Sequence, residues 1–372
     1  MNRYRWSMIC LVGAMLGFLT YQVEKLSAQE TTSAPQEYTA PALSESGAWS
    51  VIVIPDPQTY NKFGRNQGIF ELMTAWIADN REKLNIQLVL VTGDLVERNG
   101  VHEVGDRKDL DQTSDQQWTA ARRALGRLAD VVPCVICPGN HDFGIETAEN
   151  RESQLDTYFP KDWSSVLTPH LVECGDNFFG NKTLENAAYQ FVMPDDRKVL
   201  VVSLEFAPSD RAIEWAKSVV SRAEFADHEV WVLTHSYIAS NGKHLDKEGY
   251  KVADVNYGKA LWDKLVKVSP NIHFVVCGHI AHPDSWEGSV AFSIATNDAG
   301  QPVSQMLFDT QALGGGWHGN GGDGWLRLLE FSPDGKTVHA KTFSPLFGIS
   351  PTTRQHAWQR SERNEFSFEL QP

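Results

Sequence analysis

Five short apolar runs in this chain each end in side chains able to hold a metal ion. VIVIP leads to Asp56 and, two positions on, Gln58; LVLVTG leads to Asp94; CVICPG leads to Asn140, His141 and Asp142; VWVLT leads to His235; FVVCG leads to His279. Taken alone, PDPQ at 55–58 reads as a turn, since Asp and Pro commonly close strands. Five coincidental turns are a poor explanation. Carboxylate, amide carbonyl and imidazole are the donors of divalent metal sites, and the carboxyl ends of strands in an open α/β sheet share one crevice. The chemistry to expect is therefore metal-assisted.

The elements that position these residues can be read from periodicity. WSVIVI is a strand, and GIFELMTAWIADN places Ile69, Leu72, Met73, Trp76 and Ile77 on one helical face. IQLVLV is again a strand; Ser114 to Gln117 reads as a capping box before a helix carrying Trp118, Ala121, Leu125 and Leu128. After VVPCVIC the chain is irregular to about residue 187. Strands AYQFVM and KVLVVSLEF follow, then a helix from Ser209, strand EVWVLT, a helix near Tyr257 to Val268, and strand IHFVVC. The remainder turns to strands and loops, closing in a hairpin of WLRLLEF, SPDG and KTVHAKTF. The alternation predicts an α/β domain with a β-rich C-terminal part.

With 372 residues, 42% hydrophobic and 22% charged, the chain can bury a large core, expected as one domain over 48–348 with 349–372 as a tail. Arg3 and Arg5 precede the apolar run Met8 to Leu19, and small residues Ser27 and Ala28 follow, which predicts a cleaved export signal over 1–28. Residues 29–47 then form a flexible leader. The expected location is periplasmic or extracellular, with no stable membrane span after cleavage and an N-terminal anchor if the signal is kept. Net charge is −14, from 47 acidic against 33 basic residues without a basic tract, so surface charge gives no footprint for nucleic acid. A phosphate-ester substrate would need a local positive centre, which a metal supplies. Cys134 and Cys137 lie in an apolar strand where residues three apart face opposite ways, so they read as buried thiols. Pairing of Cys174 with Cys277 stays open.

Asp56 with Gln58, GDLVERN, GNHD, THS and GHIAH resemble the ordered motif set of the calcineurin-like metallophosphoesterases, over residues 56 to 282. The resemblance implies a sandwich of two facing mixed β-sheets flanked by helices, and a two-metal centre that hydrolyses phosphate esters. It makes Asp94 the bridging carboxylate, places Asp56 and Gln58 on the first ion, and puts Asn140, His235 and His279 on the second. His141 becomes the general acid, Asp142 the group that orients it, and Asn140 and His141 the contacts to substrate. Two carboxylates among neutral ligands leave such a cluster positive, so an acidic protein can still bind an anion. Gln58 departs from the commoner His; its harder oxygen favours Mn2+, Mg2+ or Fe2+ over Zn2+ at that site. His282, expected to complete the first site, stands one residue late in GHIAH. The main reading is an exported metal-dependent phosphoesterase, monoester or diester undecided. The alternative is an envelope binding protein with an impaired first metal site.

Some features carry less. GNGGDG at 319–324 matches a dinucleotide fingerprint, but a strand follows where a helix is required. GGGWHGNGGDGW reads as a mobile loop whose Trp317 and His318 either rim the crevice or do not. DRKDLDQTSD lacks calcium-loop spacing and reads as solvated. Arg98 and Asn99 face substrate or sit on the surface.

Overall fold

The structure, a computed structural model, describes residues 37–370; the expected signal over 1–28 lies outside them. Two seven-stranded sheets form the body. Sheet A is built from β1 (Trp49–Ile54), β2 (Ile86–Val91), β3 (Cys134–Ile136), β11 (Leu326–Phe331), β12 (Thr337–Phe343), β13 (Trp358–Gln359) and β14 (Phe366–Glu369). Its strands run β13-β12-β11-β1-β2-β3, with β14 also on β12. Sheet B is built from β4 (Leu171–Asp176), β5 (Lys182–Val192), β6 (Lys198–Ser203), β7 (Glu229–Leu233), β8 (Ile272–Cys277), β9 (Val290–Thr296) and β10 (Pro302–Phe308). Its order is β4-β5-β6-β7-β8-β10-β9. Each sheet is mixed: β1, β2 and β3 are parallel, as are β6, β7, β8 and β10, while the remaining strands pair antiparallel. This is the expected sandwich of two facing mixed sheets with flanking helices.

The parallel strands are mostly apolar and mostly buried because both faces are covered. All six residues of β1 are buried. Between the sheets, Phe331 stacks on Trp49 at 3.9 Å and on Trp231 of β7 at 5.5 Å. Helix α2 (Gln67–Asn80) follows the short α1 (Gln58–Asn61) and buries Phe70, Met73, Thr74 and Ile77. Its buried face thus centres on Phe70 and Met73, and Leu72 lies to the side. Helix α3 (Ser114–Gly126) has its capping box one residue earlier than expected: the Thr113 hydroxyl accepts from the Gln116 amide, and the Gln116 side chain accepts from Thr113 N. Ser114 and Gln117 are instead buried against the loop after β2, where Ser114 Oγ donates to the Asn99 carbonyl and Gln117 Oε1 accepts from Glu97 N.

Three boundaries differ from expectation. β4 and the first half of β5 lie within the stretch read as irregular: β5 begins at Lys182, ahead of the expected strand AYQFVM. Residues 358–369 are not a tail: β13 and β14 hydrogen-bond to β12, and Phe368 packs in the core. The described part of the leader is docked: Thr39 O accepts from Trp358 Nε1 at 2.7 Å, and Ser44 N donates to Glu330 at 2.6 Å. Such pairings join segments some 300 residues apart, which local periodicity cannot report.

Candidate metal centre

The turns after β1, β2, β3, β7 and β8 meet at one rim of the sandwich. Asp56, Asp94, Asn140 and His235 are buried there, and oxygens of Asp56 and Asp94 and a ring nitrogen of His235 lie within 4.8 Å of one another. The glycines of the motifs make this approach possible. A Cβ at Gly139 would stand 2.1 Å from Asp94 Oδ1, and one at Gly278 would stand 2.0 Å from Asp56 Oδ1. Asp94 at φ 51° and His279 at φ 76° occupy left-handed backbone. Such conformations cost about 1–3 kcal/mol and recur where a side chain must be aimed.

One half of the centre is a cage of four donors. His235 Nδ1 donates to the Thr92 carbonyl at 2.7 Å, so Nε2 faces Asn140 Oδ1 at 2.9 Å and Asp94 Oδ2 at 3.3 Å. His279 is held the same way: Nε2 donates to the Glu248 carboxylate at 2.5 Å, and Nδ1 lies 2.9 Å from Asn140 Oδ1 and 3.1 Å from His235 Nε2. Fixing one ring nitrogen on an acceptor presents the other as the ligand atom. Asn140 Nδ2 donates to Thr147 Oγ1 at 2.7 Å, which turns the amide oxygen inward. Burial works against charge on His235, but the Asp94 and Asp56 carboxylates outweigh it and raise its pKa to about 10. A cation is what these converging lone pairs call for, and a divalent ion supplies it.

The other half is richer in oxygen. Gln58 Nε2 donates to Asp94 Oδ2 at 2.9 Å, while its buried Oε1 has no hydrogen-bond partner. An unsatisfied buried carbonyl costs about 1–3 kcal/mol, and it is the atom a cation would use. Asp56 accepts from Thr92 Oγ1 at 2.5 Å and from His279 N at 2.8 Å. Burial, reinforced by the Asp309 carboxylate, raises the Asp56 pKa. Asp94 goes the other way: burial opposes its charge, yet His235 and His141 hold it well below the carboxylate range. These residues fit a divalent metal. His282 does not join them. Its side chain is exposed, and its Nδ1 accepts from Asp284 N at 3.1 Å. With two residues between the histidines instead of one, the loop has left the crevice before His282 is reached.

His141 lines the same cavity as Gln58, Asp94 and His279. Its backbone amide donates to Asp94 Oδ1 at 2.9 Å, and its Nδ1 donates to the Glu97 carbonyl at 2.8 Å. That leaves Nε2 as the nitrogen free for proton transfer. Asp142, expected to orient this ring, touches backbone instead: it accepts from Gly139 N at 2.8 Å and Val96 N at 3.1 Å, tying the turn after β3 to the turn after β2. Burial beside Asp94 pushes its pKa up to about 7. Arg98 NH1 lies 3.0 Å from His141 Nδ1, and the guanidinium pairs with Glu97 at 3.1 Å, Glu146 at 2.7 Å and Asp109 at 3.4 Å. Part of the acidic loop thus brackets His141 through Arg98. Asn99 is buried and structural, accepting from Trp118 Nε1 at 3.2 Å.

Trp317 lines the cavity at 43% exposure, whereas the His318 ring stands 6.3 Å from Phe63. Cys134, Cys137, Cys174 and Cys277 are all buried free thiols. Sequence reasoning missed Glu248, Tyr250, Asp309 and Gln311. Asp309 carries the signal used for the others, a carboxylate just after an apolar strand. Glu248 lies in irregular chain with nothing local to mark it.

Residues 50–283 match the family model described as calcineurin-like phosphoesterase. The chain belongs to that family. A curated relative, the uncharacterized protein YvnB of Bacillus subtilis (strain 168), is 26% identical over 310 residues, which make up 82% of this chain and 20% of YvnB. The chain therefore spans about a fifth of that relative's length. A solved structure described as GAP50, the anchor in the inner membrane complex of Plasmodium, aligns with a TM-score of 0.46 at 13% identity, covering 87% of this chain and 90% of that one.

Proposed function

We propose that this calcineurin-like phosphoesterase is an exported, dinuclear metal-dependent hydrolase of phosphate esters that uses His141 as general acid. The observation that carries the reading is the convergence of Asn140 Oδ1, His235 Nε2 and His279 Nδ1 within 3.1 Å beside Asp94, with the unpartnered Gln58 Oε1 on the other side. Asp94 would be shared between two ions, Asp56 and Gln58 would hold the first, and Asn140, His235 and His279 would hold the second. When bound, the ions supply an activated water and positive charge for the phosphate oxygens. The chain's own residues do the rest. The Glu97 carbonyl fixes the His141 ring, so that Nε2 carries the proton delivered to the departing oxygen. Arg98 donates to the same Glu97 carbonyl at 2.8 Å and so acts on the ring through it, with its own charge balanced by Glu97, Asp109 and Glu146. Asn140 would give its carbonyl to an ion, and with His141 it lines the cavity a substrate would enter. The oxygen donors around Gln58 favour Mn2+, Mg2+ or Fe2+ over Zn2+ at the first site.

The test is metal counting on the stripped and reloaded protein, read beside hydrolysis of nitrophenyl phosphate and bis(nitrophenyl) phosphate. The expected result is two ions and activity restored by Mn2+. A chain that takes up ions but leaves both esters intact would instead be the binding protein named as the alternative. Export is tested separately by the N-terminus of the secreted product, expected near residue 29.

A further inference from the structure

The departure of His282 leaves the first ion short of a ligand, and the fold places another residue there. β10 runs parallel to β8 with Leu307 opposite Cys277. Two residues further along each strand, Asp309 and His279 leave neighbouring strands of sheet B side by side. Asp309 N donates to the Ser289 carbonyl at 3.0 Å, which holds the turn against the sheet. The side chain is fully buried, and its carboxylate lies close enough to that of Asp56, one of the residues assigned to the first ion, for each to act on the charge of the other. Gln311 steadies it, its backbone amide donating to Asp309 Oδ1 at 3.0 Å and its Nε2 to Oδ2 at 3.1 Å.

Asp56 has the Asp94 and Asp309 carboxylates for neighbours, all three are buried, and among the described residues no Lys or Arg is ion-paired to any of them. Taking carboxylates out of water costs several kcal/mol each unless a cation compensates. The second pointer is independent: buried Gln58 Oε1 has no partner and lies in the same cavity as Gln311. We propose that Asp309 is a ligand of the first ion, in the place where His282 was expected, so that Asp56, Gln58, Asp94 and Asp309 make that site all oxygen. This rests on the dinuclear reading above. It deepens that reading in two ways. Two divalent ions against three carboxylates leave the centre at one net positive charge rather than two, and the first site becomes a hard one that takes Mn2+ or Mg2+ in preference to Zn2+.

The experiment compares the full chain with Asp309→Asn and His282→Ala, each stripped of metal and titrated calorimetrically with Mn2+, with metal content measured after desalting. The parent is expected to hold two ions. Asp309→Asn should hold one, with affinity for the other weakened at least about tenfold, and His282→Ala should match the parent. Thermal melting in EDTA guards against simple misfolding. There Asp309→Asn should melt close to the parent, because the amide gives up one of the two bonds from Gln311 but removes a buried carboxylate from beside Asp56. Two ions at parental affinity in Asp309→Asn, or loss of an ion in His282→Ala, would overturn the assignment while leaving the phosphoesterase reading intact. A large drop in the EDTA melting temperature would overturn it too, making Asp309 a structural partner of Asp56. A parent that takes up no ion overturns both.

Discussion

Removing the Glu248 carboxylate should weaken one metal ion and spare the other. Glu248 Oε1 accepts from His279 Nε2 at 2.5 Å, and its other oxygen accepts from Ser236 Oγ at 2.5 Å. Burial opposes its charge, but the bond to His279 prevails and its pKa lies below the usual Glu value. The interaction is therefore a charge-assisted one, worth about 1.5–3 kcal/mol against about 0.5–1.5 for a neutral bond. Glu248→Gln keeps an acceptor for Nε2 and loses only the difference, about 1 kcal/mol, or roughly five- to tenfold in affinity. Glu248→Ala loses the whole bond and frees the ring to turn, so the loss rises to roughly 10- to 100-fold, the usual worth of a group that orients a metal-ligating histidine. The assay is competition for Mn2+ with a chelator of known affinity, resolved into two sites. Only the ion held by Asn140, His235 and His279 should weaken, in the order Glu248→Ala beyond Glu248→Gln. Equal loss at both sites, or parental affinity in Glu248→Ala, would refute the reasoning.

His141→Ala should keep both ions and lose about 10²- to 10⁴-fold in rate, with a smaller loss on nitrophenyl than on alkyl esters; equal losses on both would make His141 a positioning residue. Glu185 has its pKa pushed up to about 7, chiefly by burial, so the folded state binds its proton more tightly than the unfolded chain does. Stability from this group is therefore present below the unfolded value near 4.5 and is lost as pH rises through 7. Glu185→Gln should gain on the order of 1–3 kcal/mol at pH 8 and progressively less toward pH 5, read by urea unfolding; a gap independent of pH would contradict the assignment.

Much of the centre was legible because its residues obey local rules. A buried parallel strand is a continuous apolar run, and a polar residue directly after it sits at the sheet's carboxyl edge. That logic located Asp56, Gln58, Asp94, Asn140, His141, His235 and His279 before any contact was known, and their ordered motifs gave the family. The sequence also determined the alternation of strands and helices, the closing hairpin and the buried state of Cys134 and Cys137. It could not determine what depends on chain segments meeting across the fold. Asp142 looked like the partner of His141 because it is adjacent, but its carboxylate faces Gly139 N and Val96 N, and the ring is held by Glu97 from another strand's end. Spacing left His282 undecided; the path of the loop put it in solvent. Glu248 reaches His279 across 31 residues, and Asp309 reaches Asp56 across the junction of the two sheets. Such partners are chosen by where the backbone passes in space, and neither periodicity nor spacing encodes that choice locally.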